Sequence, residues 1–318
     1  YPQLLHCLSQ PPFKIQKPSS VQRLVIPELL KGQDVLCAAQ TGTGKTLSYV
    51  LPMLIRMKND ENELKKSLKN LGDENGENLL LLSDEKSEKS EKLEKLEKQR
   101  PKFVILVPSR ELVTQVSNII KHVGHFLKLR CVALRSDLEN ARMKRDLNSR
   151  VDVVVSTPGV FVKMHQKGAL YLSRVKYVVV DEADTLLSKD FKQELTENVL
   201  LPIRDKRTDN FDDEMDENSS EKQKKRNARN GGAAQFCFVL ATLNQEIQQY
   251  VSEYFPRMKL IAAPKLHYHH KNIQQRFITV PGHDKIKHLL PLIHGENSEN
   301  RTMIFCSTVN SCRAVHYA

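Results

Sequence analysis

Val35-Leu36-Cys37-Ala38-Ala39-Gln40-Thr41-Gly42-Thr43-Gly44-Lys45-Thr46 is a short apolar run that breaks into a Gly/Thr-rich loop and then enters a helix. Val35 to Ala38 has the composition of a buried strand. Gly42 and Gly44 let the backbone curl tightly enough for successive N–H groups to point at one anion. Lys45 adds a mobile positive charge for outer phosphates, and the Thr46 hydroxyl stands at a helix N-terminus where it can hold Mg²⁺. The loop reads as a phosphate cradle built from Ala39, Gln40, Thr41, Gly42, Thr43 and Gly44, with Ala39 where the usual pattern begins with Gly.

Working outward, five further apolar runs carry the rest of a sheet: Phe103 to Val107, Cys131 to Leu134, Val151 to Val155, Tyr177 to Val180 and Gln235 to Leu240. Each is short and continuous rather than alternating, as strands covered on both faces should be. Helical stretches separate them: one capped at Ser19-Ser20, one from Leu47 to about Met57, one from Arg110 to Leu127 and one from Thr185 to Leu200. Alternating strand and helix predict an α/β fold with a right-handed, mostly parallel, doubly wound sheet.

Two polar stretches interrupt this pattern. From Lys58 to Arg100 the chain is rich in Asn, Glu, Lys and Ser, and residues 85–99 repeat Glu-Lys-x five times. That period fits neither helix nor strand, so 58–100 reads as a solvated, disordered or loosely helical insert. Residues 205–232 form a second insert, acidic and then basic. The segment 265–300 reads as a connector, after which Thr302 to Cys306 begins a new strand. His267, His269 and His270 cluster in the connector, with no carboxylate or thiol at ligand spacing beside them.

Net charge is +11 over 318 residues, which favours a polyanionic partner such as nucleic acid. The six cysteines form no CxxC pair, which fits neither a zinc knuckle nor a disulfide framework and suits a reducing compartment. No apolar run nears the ~20 residues of a membrane span.

Val178-Val179-Val180-Asp181-Glu182-Ala183-Asp184 puts adjacent carboxylates at the mouth of a buried strand downstream of a phosphate loop. In a nucleotide-hydrolysing site the first carboxylate orients Mg²⁺ and the second polarises the attacking water. Gly44-Lys45-Thr46 with Asp181-Glu182-Ala183-Asp184 resembles the DEAD-box ATP-dependent RNA helicases, and further matches come in the family's order. Pro18-Ser19-Ser20-Val21-Gln22 resembles the adenine-reading segment. Pro108-Ser109-Arg110-Glu111-Leu112 and Thr157-Pro158-Gly159 resemble the two segments that hold the RNA backbone. Ala241-Thr242 resembles the motif that couples ATP and RNA sites, and Ile304 to Thr308 resembles the opening of a second RecA-like domain.

The resemblance implies a RecA-like domain over 1–264, with the start of a second at 301–318. It implies ATP and Mg²⁺ as cofactors and Lys45, Asp181 and Glu182 as catalytic residues. Thr46 and Asp181 would hold the metal, and Gln22 would join the loop in binding ATP. RNA would lie on Pro108, Ser109, Arg110, Thr157, Pro158 and Gly159, with Asp184, Ala241 and Thr242 as coupling residues. The resemblance also implies a monomeric protein that remodels RNA or ribonucleoprotein. The family's arginines from the second domain fall beyond Ala318, so these residues are expected to bind nucleotide but turn it over poorly.

There are departures from the family pattern. Val160 stands where Arg is usual and Leu240 where Ser is usual. Arg135-Ser136-Asp137 replaces a Gly-Gly pair, which makes Arg135 a candidate phosphate contact. These changes leave ATP binding intact but predict weaker or more partner-dependent strand separation. They also keep open an alternative, a nucleotide-gated RNA-binding scaffold with little turnover. Within the family, Asp181 to Leu187, Thr157 to Val160 and Lys265-Leu266-His267 look most like the mitochondrial branch linked to large-ribosomal-subunit assembly. That likeness implies the mitochondrial matrix as its location, and the Asn- and Lys-rich inserts suggest a fungal version.

Overall fold

Alternation of side chains along short parallel strands builds the structure, a computed structural model that describes residues 2–73, 98–136, 140–205, 234–263, 273–280, 285–294 and 301–317. Strands β1 (Val35–Ala38), β2 (Phe103–Leu106), β3 (Cys131–Leu134), β4 (Val153–Ser156), β5 (Tyr177–Val180), β6 (Gln235–Leu240) and β7 (Lys259–Ala262) form one sheet. Its order is β3-β4-β2-β5-β6-β1-β7, and every pairing is parallel. Parallel neighbours cannot be joined by tight turns, so helices must cross over between them and cover both faces.

The faces are read off the strand period of two. Val35, Cys37, Phe103, Ile105, Val153, Val155, Val179 and Val239 point into one apolar layer. That layer also holds residues of α1 (Pro2–Ser9), α2 (Ser20–Leu30), α3 (Lys45–Asp73) and α4 (Arg110–Leu127). Leu36, Ala38, Val104, Leu106, Val154, Val178, Val180 and Phe238 point into the other. It is completed by α5 (Asn140–Leu147), α6 (Pro158–Gln166), α7 (Ala183–Leu186), α8 (Lys189–Leu195), α9 (Leu201–Arg204) and α10 (Gln245–Tyr254). Most of these core side chains are wholly excluded from solvent, and each large one contributes roughly 1.5–3 kcal/mol by leaving water.

Several expectations need correction. The helix expected to stop near Met57 continues to Asp73, so the start of the 58–100 insert is regular structure. Its polar residues are the reason. Lys58 and Lys65 pair with Glu61 at 2.9 and 2.8 Å, and Asp60 accepts from Lys176 Nζ at 3.1 Å and Tyr177 Oη at 3.0 Å. Residues 74–97 and 206–233, which hold most of both inserts, lie outside the described residues. Strand β7 was not expected: Leu260, Ile261 and Ala262 are apolar, but the run is short and only Ile261 of its four residues is buried. The helix expected over Thr185–Leu200 is broken into α7, α8 and a π-helical turn at Thr196–Leu200. There Thr196 Oγ1 hydrogen-bonds both Lys192 O at 2.6 Å and Tyr250 Oη at 2.7 Å.

The chain divides into compact units Tyr1–His267 and Tyr268–Ala318. In the second, the connector contains a helix, α11 (Lys285–His294). Thr302–Cys306 forms no strand, since no other strand is present among that unit's described residues to take its hydrogen bonds, and Phe305 is exposed. Helix α12 (Val309–His316) comes next. Among the described residues, no helix is long and apolar enough to cross a membrane.

The Glu61 side chain, 11% exposed, titrates low. Burial alone would raise its pKa, but hydrogen bonds from Lys58 and Lys65 outweigh it and lower the value from 4.5 to about 2. A carboxylate depressed in the folded state stabilises the fold above its unfolded pKa and loses that contribution as pH falls through the folded one. Glu61→Gln is therefore expected to lower unfolding free energy in urea by roughly 0.5–1 kcal/mol at pH 7. Its difference from the native chain should shrink as pH drops from 4.5 toward about 2.

Candidate functional site

The phosphate loop comes directly after β1. Gly42 and Gly44 adopt φ of +76° and +85°, a left-handed region costly for residues with a Cβ. Thr43 Oγ1 donates to Gln40 O at 2.7 Å, and the Lys45 ammonium donates to Ala39 O at 2.7 Å and to Leu240 O at 3.4 Å. Lys45 thus lies over the loop's own carbonyls, between the ends of β1 and β6.

Gln22 is the third residue of α2 and closes a capping box. Its side-chain Oε1 accepts from Ser19 N at 2.9 Å, and Ser19 Oγ accepts from Gln22 N at 3.3 Å. Its Nε2 donates to Gly44 O at 3.1 Å. The amide therefore fixes the loop as well as the helix start, and it keeps one N–H and one lone pair for a further partner. A Cβ on Gly44 would lie 2.6 Å from Gln22 Nε2, whereas one on Gly42 would meet nothing within 4 Å. Gly44 is required by a close approach, Gly42 by its backbone angle alone.

At the end of β5, Asp181 is 8% exposed. Its Oδ2 accepts from Tyr49 Oη at 2.7 Å and its Oδ1 from Glu182 N at 2.9 Å. Burial raises its pKa above the usual carboxylate value, against the hydrogen bonds from Tyr49 and Glu182. Glu182 is also raised, by burial first and then by the charges of Asp181 and Asp184. It takes φ 51°, ψ 47°, a left-handed conformation rare for a side chain of this size. Thr185 N and Leu186 N both donate to its carbonyl, at 2.9 and 3.1 Å, and hold it there.

Tyr49 was not singled out from sequence. It sits four residues after Lys45 on the buried face of α3 and is wholly buried. A phenol on an otherwise apolar face, one turn beyond Lys45, is the signal that could have found it, because a buried hydroxyl needs a partner. The Thr46 hydroxyl and the Asp181 carboxylate are hard oxygen donors of the kind Mg²⁺ takes. Mg²⁺ relies on one or two protein groups plus phosphate rather than a protein cage. Among the described residues no group of three or more His, Cys, Asp or Glu could hold a metal. His267, His269 and His270 lie outside the described residues.

Beyond the strand end, Asp184 Oδ2 accepts from Ala241 N, Thr242 N and Thr242 Oγ1 at 3.2, 2.9 and 2.8 Å. The hydroxyl that Leu240 lacks is supplied by Thr242. A cavity of about 430 Å³ opens nearby, lined by Pro108, Arg110, Thr157, Pro158, Gly159 and Lys163. It thus gathers five of the six residues assigned to RNA. Ser109 does not line it, its hydroxyl being spent as the α4 cap, accepting from Leu112 N at 3.2 Å. Lys163, missed in the sequence, lies one helical turn after Val160 and brings a cation to the wall where Val160 offers none. Leu186 of α7 lines the same cavity.

The sequence profile of the DEAD/DEAH box helicase family matches residues 19–250. The chain is 30% identical over 328 residues to a mouse protein named "Probable ATP-dependent RNA helicase DDX28", covering 99% of this chain and 52% of that one. It is 31% identical over 290 residues to "ATP-dependent RNA helicase mrh4, mitochondrial" of Neurospora crassa, covering 83% and 41% respectively. The crystal structure of the yeast splicing factor Prp28 shares the fold with a TM-score of 0.57 at 22% identity, over 91% of this chain and 56% of that one. The chain spans about half the length of these relatives.

The loop geometry sets the expected effect of substitution. Gly42→Ala should cost about 1–2 kcal/mol of stability through backbone strain alone, and Gly44→Ala more. Removing the Gln22 amide with Gln22→Ala should be less harmful in the Gly44→Ala background than in the native chain, a coupling read by a double-mutant cycle in urea. Tyr49→Phe, which keeps the ring but withdraws the donor from a buried carboxylate, should cost about 1–3 kcal/mol in the same measurement.

Proposed function

The chain belongs to the DEAD/DEAH box helicase family, and from that membership we propose that it forms part of an ATP-dependent RNA helicase that hydrolyses ATP to remodel RNA or ribonucleoprotein. The observation that carries this reading is the short path from Asp181 to Asp184. One end contacts the phosphate-loop helix through Tyr49. The other holds Ala241 and Thr242 and runs into the helix whose Leu186 lines the candidate RNA cavity.

In this reading the N–H groups from Gly42 to Thr46 and the Lys45 ammonium bind the phosphates, and Gln22 reads adenine with its uncommitted donor and acceptor. Thr46 and Asp181 are the residues that would hold Mg²⁺, which when bound offsets charge on the transferring phosphoryl group. Glu182, its pKa raised above the usual carboxylate value by burial and neighbouring carboxylates, orients the attacking water and takes its proton. The cavity at Arg110, Thr157, Gly159 and Lys163 grips the RNA backbone, which carries no sequence information. Similarity to the Neurospora protein named mitochondrial supports a mitochondrial location; the matrix as compartment and ribosomal RNA as substrate are the finer reading that the motif resemblance suggests. The scaffold alternative rested on Val160 and Leu240. Lys163 and Thr242 offer the cation and the hydroxyl those positions lack, so nothing observed favours it.

The test uses the whole protein and single-stranded RNA. ATP turnover is expected to rise when RNA is added, and Glu182→Gln is expected to lower it by about 10²-fold or more while leaving binding of a fluorescent ATP analogue within a few-fold. Turnover indifferent to RNA and to Glu182→Gln would overturn the reading.

A further inference from the structure

The outer edge of the sheet carries a basic groove that neither the ATP site nor the Thr157–Gly159 cavity uses. Strand β3 ends the strand order, so among the described residues its outer side has no strand partner. A cavity of about 340 Å³ opens there between α4 and α5, which cover opposite faces of the sheet. Its walls carry Thr114 and Lys121 from α4, Arg130 and Arg135 from either end of β3, and Arg142 and Asp146 from α5. Among the described residues, four cations face one carboxylate. Arg135 is oriented by a hydrogen bond from its Nη1 to Thr114 Oγ1 at 3.0 Å. Lys121, Arg130 and Arg142 are solvent-accessible, and among the described residues none of the three is in an ion pair.

Place matters as much as charge. Arg135 lines this cavity, and the next residue, Ser136, lines the one formed by Pro108, Thr157 and Gly159. A backbone leaving the second cavity past Ser136 meets Arg135 next. An edge strand can also carry Lys and Arg simply to prevent pairing with another chain. That role is indifferent to the sign of the charge, since an acidic edge repels its copies equally well. The two roles therefore separate under charge reversal.

We propose that the β3-edge groove is a second phosphate-binding tract for single-stranded RNA, holding nucleotides of the same strand beyond those in the Thr157–Gly159 cavity. The proposal rests on the assignment of that cavity to RNA and adds a longer footprint to it. Contacts of this kind are electrostatic and indifferent to base identity, and they make affinity depend steeply on salt.

The experiment measures anisotropy of fluorescein-labelled single-stranded RNAs of about 6 and about 15 nucleotides, with the whole protein and a non-hydrolysable ATP analogue, between roughly 50 and 200 mM salt. Native protein is expected to bind the longer RNA more tightly and with a steeper salt slope. The triple variant Lys121→Glu/Arg130→Glu/Arg142→Glu is expected to lose about tenfold or more on the longer RNA. Its salt slope should fall by about 2, the value for three lost contacts to a single strand, while binding of the shorter RNA stays unchanged. The milder Arg130→Gln/Arg142→Gln should fall between, with an unfolding midpoint equal to the native one. Native-like binding of the longer RNA by the triple variant overturns the proposal, as does an equal loss on both lengths. Failure of the RNA assignment itself looks different: the native protein would then bind neither RNA.

Discussion

Strand β6 lies between β1 and β5, and the site depends on its staying there, because β1 and β5 do not touch. The registers Ala38↔Leu240 and Val180↔Phe238 bring the phosphate loop and the acidic turn to the same edge of the sheet. With strands about 4.8 Å apart, the ends of β1 and β5 are separated by roughly 10 Å, so the two halves of the site face each other across a gap. Gln235 anchors the start of β6: its buried Nε2 donates to Leu29 O at 3.0 Å and Gln33 O at 2.8 Å. Asp34 Oδ1 accepts from Phe236 N at 2.8 Å. Both contacts tie β6 to the segment entering β1, so the strand that spaces the halves is fixed to the start of the strand that leads into the loop. Tyr49 then bridges the gap itself, joining two residues 132 positions apart.

The segment leaving β5 is short for the amount it connects. Helix α7 has four residues. It begins at Glu182, carries Asp184 in its first turn, and ends at Leu186 in the wall of the candidate RNA cavity. A segment this short cannot bend within itself. A shift at Glu182 must be felt at Ala241, Thr242 and Leu186, because three hydrogen bonds from Ala241 and Thr242 hold Asp184. The left-handed Glu182 starts the turn, and rigidity on both sides keeps a non-glycine residue there despite a cost on the order of 1 kcal/mol.

Much of this was legible because it is local. The loop from Ala39 to Thr46, the capping signal at Ser19 and the continuous apolar runs each announce themselves within a few residues, and each expected core strand formed within a residue or two of its limits. The features that sequence missed depend on distant partners. Residues 58–73 looked like solvated insert because Asp60 gains meaning only beside Lys176 and Tyr177, and Arg150 joins the local pairs of Glu61 with Lys58 and Lys65 from far along the chain. Strand β7 is exposed on three of four residues, so its existence is dictated by the edge of β1 and not by its own pattern. Lys163 did not stand out because the motif position is 160, whereas its place in the cavity wall a helical turn later shows only in the fold; Thr242 stood out as a coupling residue, but not its hydroxyl bond to Asp184.

The charge at the site also explains why its parts belong together. Asp181, Glu182 and Asp184 lie within one turn, and burial and mutual repulsion raise the first two above ordinary carboxylates. Fold stability alone would not favour such an arrangement, since each buried carboxylate loses hydration that a single phenol or amide only partly replaces. Lys45 is the cation that lowers both values, yet its ammonium donates to carbonyls at the ends of β1 and β6. A site with this surplus of negative charge suits a divalent cation, which Thr46 and Asp181 would hold. A cation with hard oxygen ligands on one side accepts phosphate oxygens on the other. The cost of burying the Asp181 carboxylate would then be offset only when a cation and a nucleotide are bound, which is a reason for the acidic turn to stand opposite the loop.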